Sequence, residues 1–244
     1  MGHLLSKSKY IRGLQCDRAL WLDVFNPRLA RYTAEQMRRF DRGRDFEYAF
    51  KSTFPDGIDL SAELKRNVDA YPARTAQYLD GTDQSPFNSH LSTLTLFEAG
   101  FLYDDVLVLA DVVHRNPDGS LDIYEVKSGN VLSETYKRDA ALQHYVISHC
   151  RPINKFCIVH AGNAGVSPAE SFAGETPAQL GFAIVDLTEE LMEQHNEIAR
   201  NIAAMKEILS HGEPATPTGQ HCLEPYACPY QRYCAQGVRQ MSLF

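Results

Sequence analysis

One stretch of the chain carries carboxylates and an amine where strand-forming residues dominate: Asp111 in VLADVV, then Glu125 and Lys127 in IYEVKSG. A lone carboxylate in an apolar strand is costly unless it meets a cation. Glu125 and Lys127 are two apart, so on a strand both point to the same sheet face while Val126 points to the other. Between Asp111 and Glu125 lies Asn116-Pro117-Asp118-Gly119, a strong hairpin signal. A hairpin closed there brings Asp111 and Glu125 to neighbouring positions. Two carboxylates and an ammonium on one face suit phosphodiester hydrolysis: the acids hold Mg²⁺ or Mn²⁺, and Lys127 orients the attacking water or stabilises the developing anion. The plain alternative is a surface Glu-x-Lys ion pair, which the upstream Asp and a following helix argue against.

A second group is made of thiols. Of six cysteines, Cys222, Cys228 and Cys234 cluster late as Cys-x5-Cys-x5-Cys, Cys16 stands alone near the start, and Cys150 and Cys157 flank an apolar strand. In a reducing compartment such a cluster reads as metal binding rather than disulfides. Cys16 is the natural fourth ligand, and Cys150 and Cys157 read as core. Zinc is a rival metal, although its usual short Cys-x2–4-Cys knuckles are absent. His221 could stand in for a thiol, but its neighbour Cys222 is better suited.

Positioning these groups takes a specific series of elements. Helical spacing runs over 6–25, with Ser6 and Ser8 as caps, over 33–54 opened by Thr33, and over 60–80 with a break at Pro72. The period then changes to strands over 92–103 and 105–114, joined at Asp104-Asp105, and over 121–127. A helix over 133–150, a strand over 153–160, a loop over 161–180 and a short strand over 181–187 follow. Thr188 is expected to cap a long helix to Leu209, and the chain after Gly212 reads as loop. Together these predict a mixed α/β fold in one domain over 1–244, with 1–25 and 215–235 supplying the cysteines and 236–244 a flexible tail.

The bulk properties fit. The 244 residues are 44% hydrophobic, enough for a real core. No apolar run approaches the length of a membrane span, and the start lacks a signal-peptide core, so a cytoplasmic bacterial protein is expected. The net charge of −7 excludes a simple nucleic-acid coat, yet basic residues concentrate within 1–55.

The Asp, then Glu-x-Lys order over a hairpin resembles the PD-(D/E)XK nuclease signature, and EVKSG resembles its form in RecB-type and CRISPR-associated iron–sulfur exonucleases. The LSKSKYIRGLQCDRALWL and PYACPYQRYC segments are similar to a bacterial family of iron–sulfur nuclease-like proteins, over about residues 4–235. The resemblance implies a restriction-endonuclease-like core, a central mixed sheet flanked by helices. It further implies a catalytic set of Asp111, Glu125, Lys127 and Gln143, and a Mg²⁺ or Mn²⁺ site at Glu47, Asp111, Glu125 and Val126. Glu47 ends Gly43-Arg-Asp-Phe-Glu47, and Gln143 occupies the family's glutamine position in the helix after the lysine strand. Glu98 is a supporting acid or a cross-strand partner. One N-terminal and three C-terminal cysteines resemble the family's [4Fe–4S] arrangement at Cys16, Cys222, Cys228 and Cys234. The expected activity is that of a DNA nuclease, an exonuclease before an endonuclease, in repair or replication-linked processing. The alternatives are a non-catalytic iron–sulfur DNA-binding adaptor and a zinc-bearing RNA-processing protein. The last residues, Gln240-Met-Ser-Leu243-Phe244, resemble the pentapeptide that binds the bacterial sliding clamp through Gln240, Leu243 and Phe244.

Overall fold

The structure, a computed structural model, describes residues 3–65, 67–82, 93–162 and 181–241, without the side chains of 39–42 and 237–241. The helices are α1 (Lys7–Gln15), α2 (Asp17–Phe25), α3 (Ala34–Lys51), α4 (Leu60–Leu64), α5 (Tyr71–Leu79), α6 (Glu134–Ser148), α7 (Thr188–Met192), α8 (His195–Ser210) and α9 (Gln231–Met241). The strands are β1 (Leu5–Ser6), β2 (Ile58–Asp59), β3 (Leu94–Tyr103), β4 (Val106–Arg115), β5 (Leu121–Lys127), β6 (Ile153–Ala161) and β7 (Phe182–Asp186). They form one mixed sheet in the order β2-β3-β4-β5-β6-β7. β3, β4 and β5 are antiparallel neighbours, and β6 runs parallel to β5 with α6 as the crossover. The fold is therefore mixed α/β, a central sheet flanked by helices.

Two apolar layers cover the sheet. On one face, residues of α1, α2, α5, α6 and α8 pack against Leu96, Val108, Val113, Ile123 and Ile158. On the other, Phe46 and Phe50 of α3 pack against Phe97, Val112, Val126, Val159 and Phe182. The turn at Asp104-Asp105 holds both residues at positive φ, as a tight two-residue hairpin turn requires. The β4–β5 hairpin has Gly119 at φ 87° and Asp118 accepting from the Ser120 N–H at 2.9 Å.

The β4–β5 ladder stops at Val112–Tyr124. Beyond that point β1 pairs with the other end of β4, at Val106 and Leu107, so β4 and β5 part and leave a fork. α1 starts at this fork, its first turn capped by the Ser6 hydroxyl.

Four local expectations need correction. The helix over 6–25 is two helices, because Cys16 is extended (φ −167°, ψ 124°) and turns the chain between α1 and α2. Pro72 does not break a helix but begins one: in the first turn of α5 its missing N–H costs nothing. Thr188 does not cap a long helix. Its hydroxyl bonds Asp186 and accepts the Phe156 N–H at 2.8 Å, tying it to the sheet, and α7 ends before α8 begins. The chain after Gly212 is not all loop, since α9 runs from Gln231 to Met241 with Cys234 buried. The described part of the expected tail, 236–241, is therefore helical. Leu243, Phe244 and the Gln240 side chain lie outside the described residues.

Candidate active site and cysteine centre

The hairpin register places Asp111 opposite Glu125, the next pair after Val112–Tyr124. That pair is not formed. Instead Asp111 Oδ2 accepts the Val126 N–H at 2.7 Å, so the carboxylate reaches across the fork. Glu98 stands in the same row on the other side, because the β3–β4 ladder skips from Phe97–Val112 to Ala99–Ala110. Three acids, Glu98, Asp111 and Glu125, thus occupy one row across three strands.

Both outer faces of β3 and β4 slip phase at this row. Leu96 faces the first apolar layer and Phe97 the second, but Ala99 and Phe101 face the first again. The slip is made by Glu98 itself, at φ 56°, a conformation that costs a non-glycine residue about 1–3 kcal/mol. Without it, Glu98 would point with Leu96 into hydrocarbon. With it, the carboxylate turns to α3, where Lys51 donates to it at 2.7 Å and to Glu47 at 2.5 Å. In β4 the phase slips likewise between Ala110 and Val112. Among the described residues, Glu47, Glu98 and Asp111 alone bring three metal-type donor atoms within 4.8 Å of one another.

From the opposite face come Glu125 and Lys127. Glu125 is almost fully buried, and its Oε1 accepts from Lys127 at 2.6 Å and from Lys7 of α1 at 2.9 Å. Lys127 also donates to Asp139 of α6. Val126 contributes its backbone N–H to Asp111 while its side chain packs in the second apolar layer.

Charge decides what this arrangement can hold. Among the described residues, five carboxylates (Glu47, Glu98, Asp111, Glu125, Asp139) meet three ammonium groups (Lys7, Lys51, Lys127), an excess of two negative charges when every acid is ionised. Burial, and then the neighbouring Glu125, push the Asp111 carboxyl well above its usual range. Burial also raises Glu98. Burial alone would raise Glu125 too, but Lys127 and Lys7 overcome it and hold this carboxyl ionised. Lys127 is pulled down by burial and raised further by Asp139, Glu125 and Asp111, so it stays an ammonium. Among the described residues, Glu125 Oε2 is buried with no hydrogen-bond partner. An orphaned carboxylate oxygen beside an Asp that resists ionisation is what a divalent cation would satisfy, and the donor set fits that group.

Gln143 is fully buried on α6, the helix after the lysine strand, and among the described residues its amide atoms have no hydrogen-bond partner; the helix residue that holds Lys127 is Asp139, one turn earlier. Asp139 and Lys7 are the residues the sequence did not disclose. Asp139 precedes Gln143 by four, hence shares its helix face. Lys7 gave no local signal, because a long-range fork delivers it.

Four of the cysteines pack together. Cys222, Cys228 and Cys234 are buried with Ala19, Leu22 and Tyr230, and Cys16 packs on the same group. Burial raises the thiols of Cys16, Cys228 and Cys234, and nearby cysteines, Cys222 among them, add to the rise. Such a set is poorly placed to be thiolate without a cation. Backbone N–H groups of Ala19 and Arg18 partly offset the rise at Cys16, and that of Tyr230 does so at Cys228. His221 Nε2 lies 3.6 Å from Cys222 Sγ. Gln15 Nε2 binds the carbonyls of His221 (2.7 Å), Glu224 (3.0 Å) and Tyr226 (2.7 Å), and the buried Tyr230 donates to Asp23. Cys150 and Cys157 sit apart from the centre as core residues.

No family model and no curated protein matches the chain. The chain is similar to a solved structure, the crystal structure of SSO0001, at 13% identity over 95% of this chain and 85% of that one, with a TM-score of 0.39. That likeness is too slight to carry either fold or function. Among the described residues no helix is long and apolar enough to cross a membrane.

Proposed function

We propose that this chain is a nuclease of the PD-(D/E)XK type that hydrolyses phosphodiester bonds in DNA with Mg²⁺ or Mn²⁺. The supporting observation is the bond from Val126 N–H to Asp111, which brings Asp111 to the Glu125–Lys127 pair in a cluster with two surplus negative charges. The element order α3, β3-β4-β5, α6, β6, with a mixed central sheet, supports reading it as a restriction-endonuclease-like core.

Asp111, Glu125, Glu47 and Glu98 would hold the ion. Bound there, it would supply an acidified water and offset charge building on the phosphate. Lys127 acts as a donor and not as a base: locked between Glu125 and Asp139, it keeps its proton and can orient water or stabilise an oxyanion. Glu125, held ionised by two ammonium groups, keeps its second oxygen free. Cys16, Cys222, Cys228 and Cys234 hold a [4Fe–4S] cluster with a structural role, joining the first helices to α9; the absence of short Cys-x2–4-Cys knuckles favours it over zinc. Gln240, Leu243 and Phe244 form a docking element for a sliding clamp.

The test is a panel of single- and double-stranded DNA and RNA with Mn²⁺, comparing wild type with Asp111→Ala and Lys127→Ala. Cleavage should fall about a thousandfold or more in each variant. Cutting that survives in both variants would refute the assignment, and a wild type that binds but never cuts would leave the adaptor. Anaerobically purified protein should contain iron and sulfide rather than zinc. Deleting 240–244 should abolish clamp pull-down and spare cleavage of short DNA.

A further inference from the structure

Three lysines enter the acidic site, and their partners distinguish them. Lys51 is shared by Glu47 and Glu98, and Lys127 by Glu125 and Asp139, so each is held between two carboxylates. Lys7 has a single hydrogen-bonded partner among the described residues, Glu125 Oε1 at 2.9 Å. Its side chain is also the most exposed of the three, at 26% against 17% for Lys127 and 12% for Lys51. An ammonium has three donors. Lys7 therefore combines a full charge, unused donors and access to solvent at the mouth of the fork.

The position is fixed and not a wandering surface side chain. Lys7 is the first residue of α1, which the Ser6 hydroxyl caps and which β1 anchors to β4 through Leu5 and Ser6. At its far end α1 stops at Cys16, so the same helix joins the acidic site to the cysteine centre.

We propose that Lys7 is a phosphate-binding residue of this site, taking a non-bridging oxygen of the nucleic-acid backbone; the proposal rests on the nuclease reading. The surplus of two negative charges would repel a polyanion. Once a divalent ion neutralises that surplus, the incoming phosphate needs a cation with an open donor. Lys7 is the one not already held between two acids.

The test measures binding apart from cleavage. A fluorescein-labelled single-stranded oligothymidylate is titrated in Ca²⁺ by anisotropy, across a series of salt concentrations, with wild type, Lys7→Ala, Lys7→Gln and Lys7→Arg. Lys7→Gln keeps a donor to Glu125 without the charge and covers a failure of Lys7→Ala to fold. Both neutral variants should bind about tenfold more weakly, and the slope of log K against log salt should shrink by about 0.7, the loss of one phosphate contact on a single strand. Lys7→Arg should restore both. A purely structural lysine would lower the melting temperature without moving the salt slope. If wild type cuts DNA in Mn²⁺ while the neutral variants bind with unchanged strength and slope, the Lys7 assignment alone fails. If wild type neither binds nor cuts, the nuclease reading fails and this assignment with it.

Discussion

The acidic row should be a place where the protein sacrifices stability, and Asp111→Asn measures how much. Asp111 is 9% exposed, and its Oδ2 accepts the Val126 N–H at 2.7 Å. An asparagine carbonyl oxygen can accept the same bond, so shape and hydrogen bond survive. What disappears is a carboxyl whose ionisation burial and Glu125 both oppose. Replacing a strained buried charge by a neutral isostere is worth about 1–3 kcal/mol. For a chain of this size that is about 2–4 °C per kcal/mol, hence a rise of roughly 2–12 °C in melting temperature without divalent ions. The sign with pH is fixed as well. A carboxyl whose folded pKa is raised destabilises the fold as pH climbs through that value, so the advantage of Asn should grow with pH. Added Mn²⁺ should reverse the order. At a hundred times its Kd an ion binding only the folded state adds about 2.7 kcal/mol, which wild type gains and the variant largely loses. Differential scanning calorimetry in metal-depleted buffer, then with Mn²⁺, reads both effects. A variant that melts below wild type without ion, or gains as much from Mn²⁺, would refute the reasoning.

Away from this site, His144 is buried and its Nδ1 lies 2.8 Å from His195 Nε2; burial, and then His195, lower it to about 4. The unfolded chain takes up that proton near pH 6.5, so stability should fall as pH drops from about 6.5 to about 4, by up to roughly 3 kcal/mol. Acid melts of wild type against His144→Phe check this: the variant should lose the slope in that window. Gly100 follows the Glu98 slip, donates its N–H to Thr75 Oγ1 at 2.8 Å, and would place a Cβ 2.4 Å from that of Tyr71. Gly100→Ala should therefore push α5 from β3 and cost about 1–3 kcal/mol in urea unfolding; an unchanged midpoint would contradict the packing.

Much of the site was legible in order and spacing. The hairpin turn at 116–119 fixes a register, and that register by itself sets Asp111 opposite Glu125. Strand alternation puts Lys127 on the face of Glu125, and the Cys-x5-Cys-x5-Cys spacing singles out three of the four thiols that pack together. These are local rules, in which a residue's direction follows from its neighbours in the chain. The helix boundaries failed where a side chain was claimed by a distant partner, as when the Thr188 hydroxyl went to Phe156 and Asp186 instead of to a helix end.

Tertiary structure alone decided the rest. Glu98 joins the acids because its backbone adopts φ 56° in mid-strand, a choice that Lys51 on another element stabilises. Lys127 is held by Asp139 rather than by Gln143, since the lie of α6 against β5 selects which turn of the helix meets it. Lys7 enters because β4 and β5 part and β1 takes the vacated edge, 118 residues away in sequence from the carboxylate it binds. Sequence spacing determines which groups share an element and a face. Which elements meet, and therefore which charges must be balanced together, is settled only when the sheet and its helices pack.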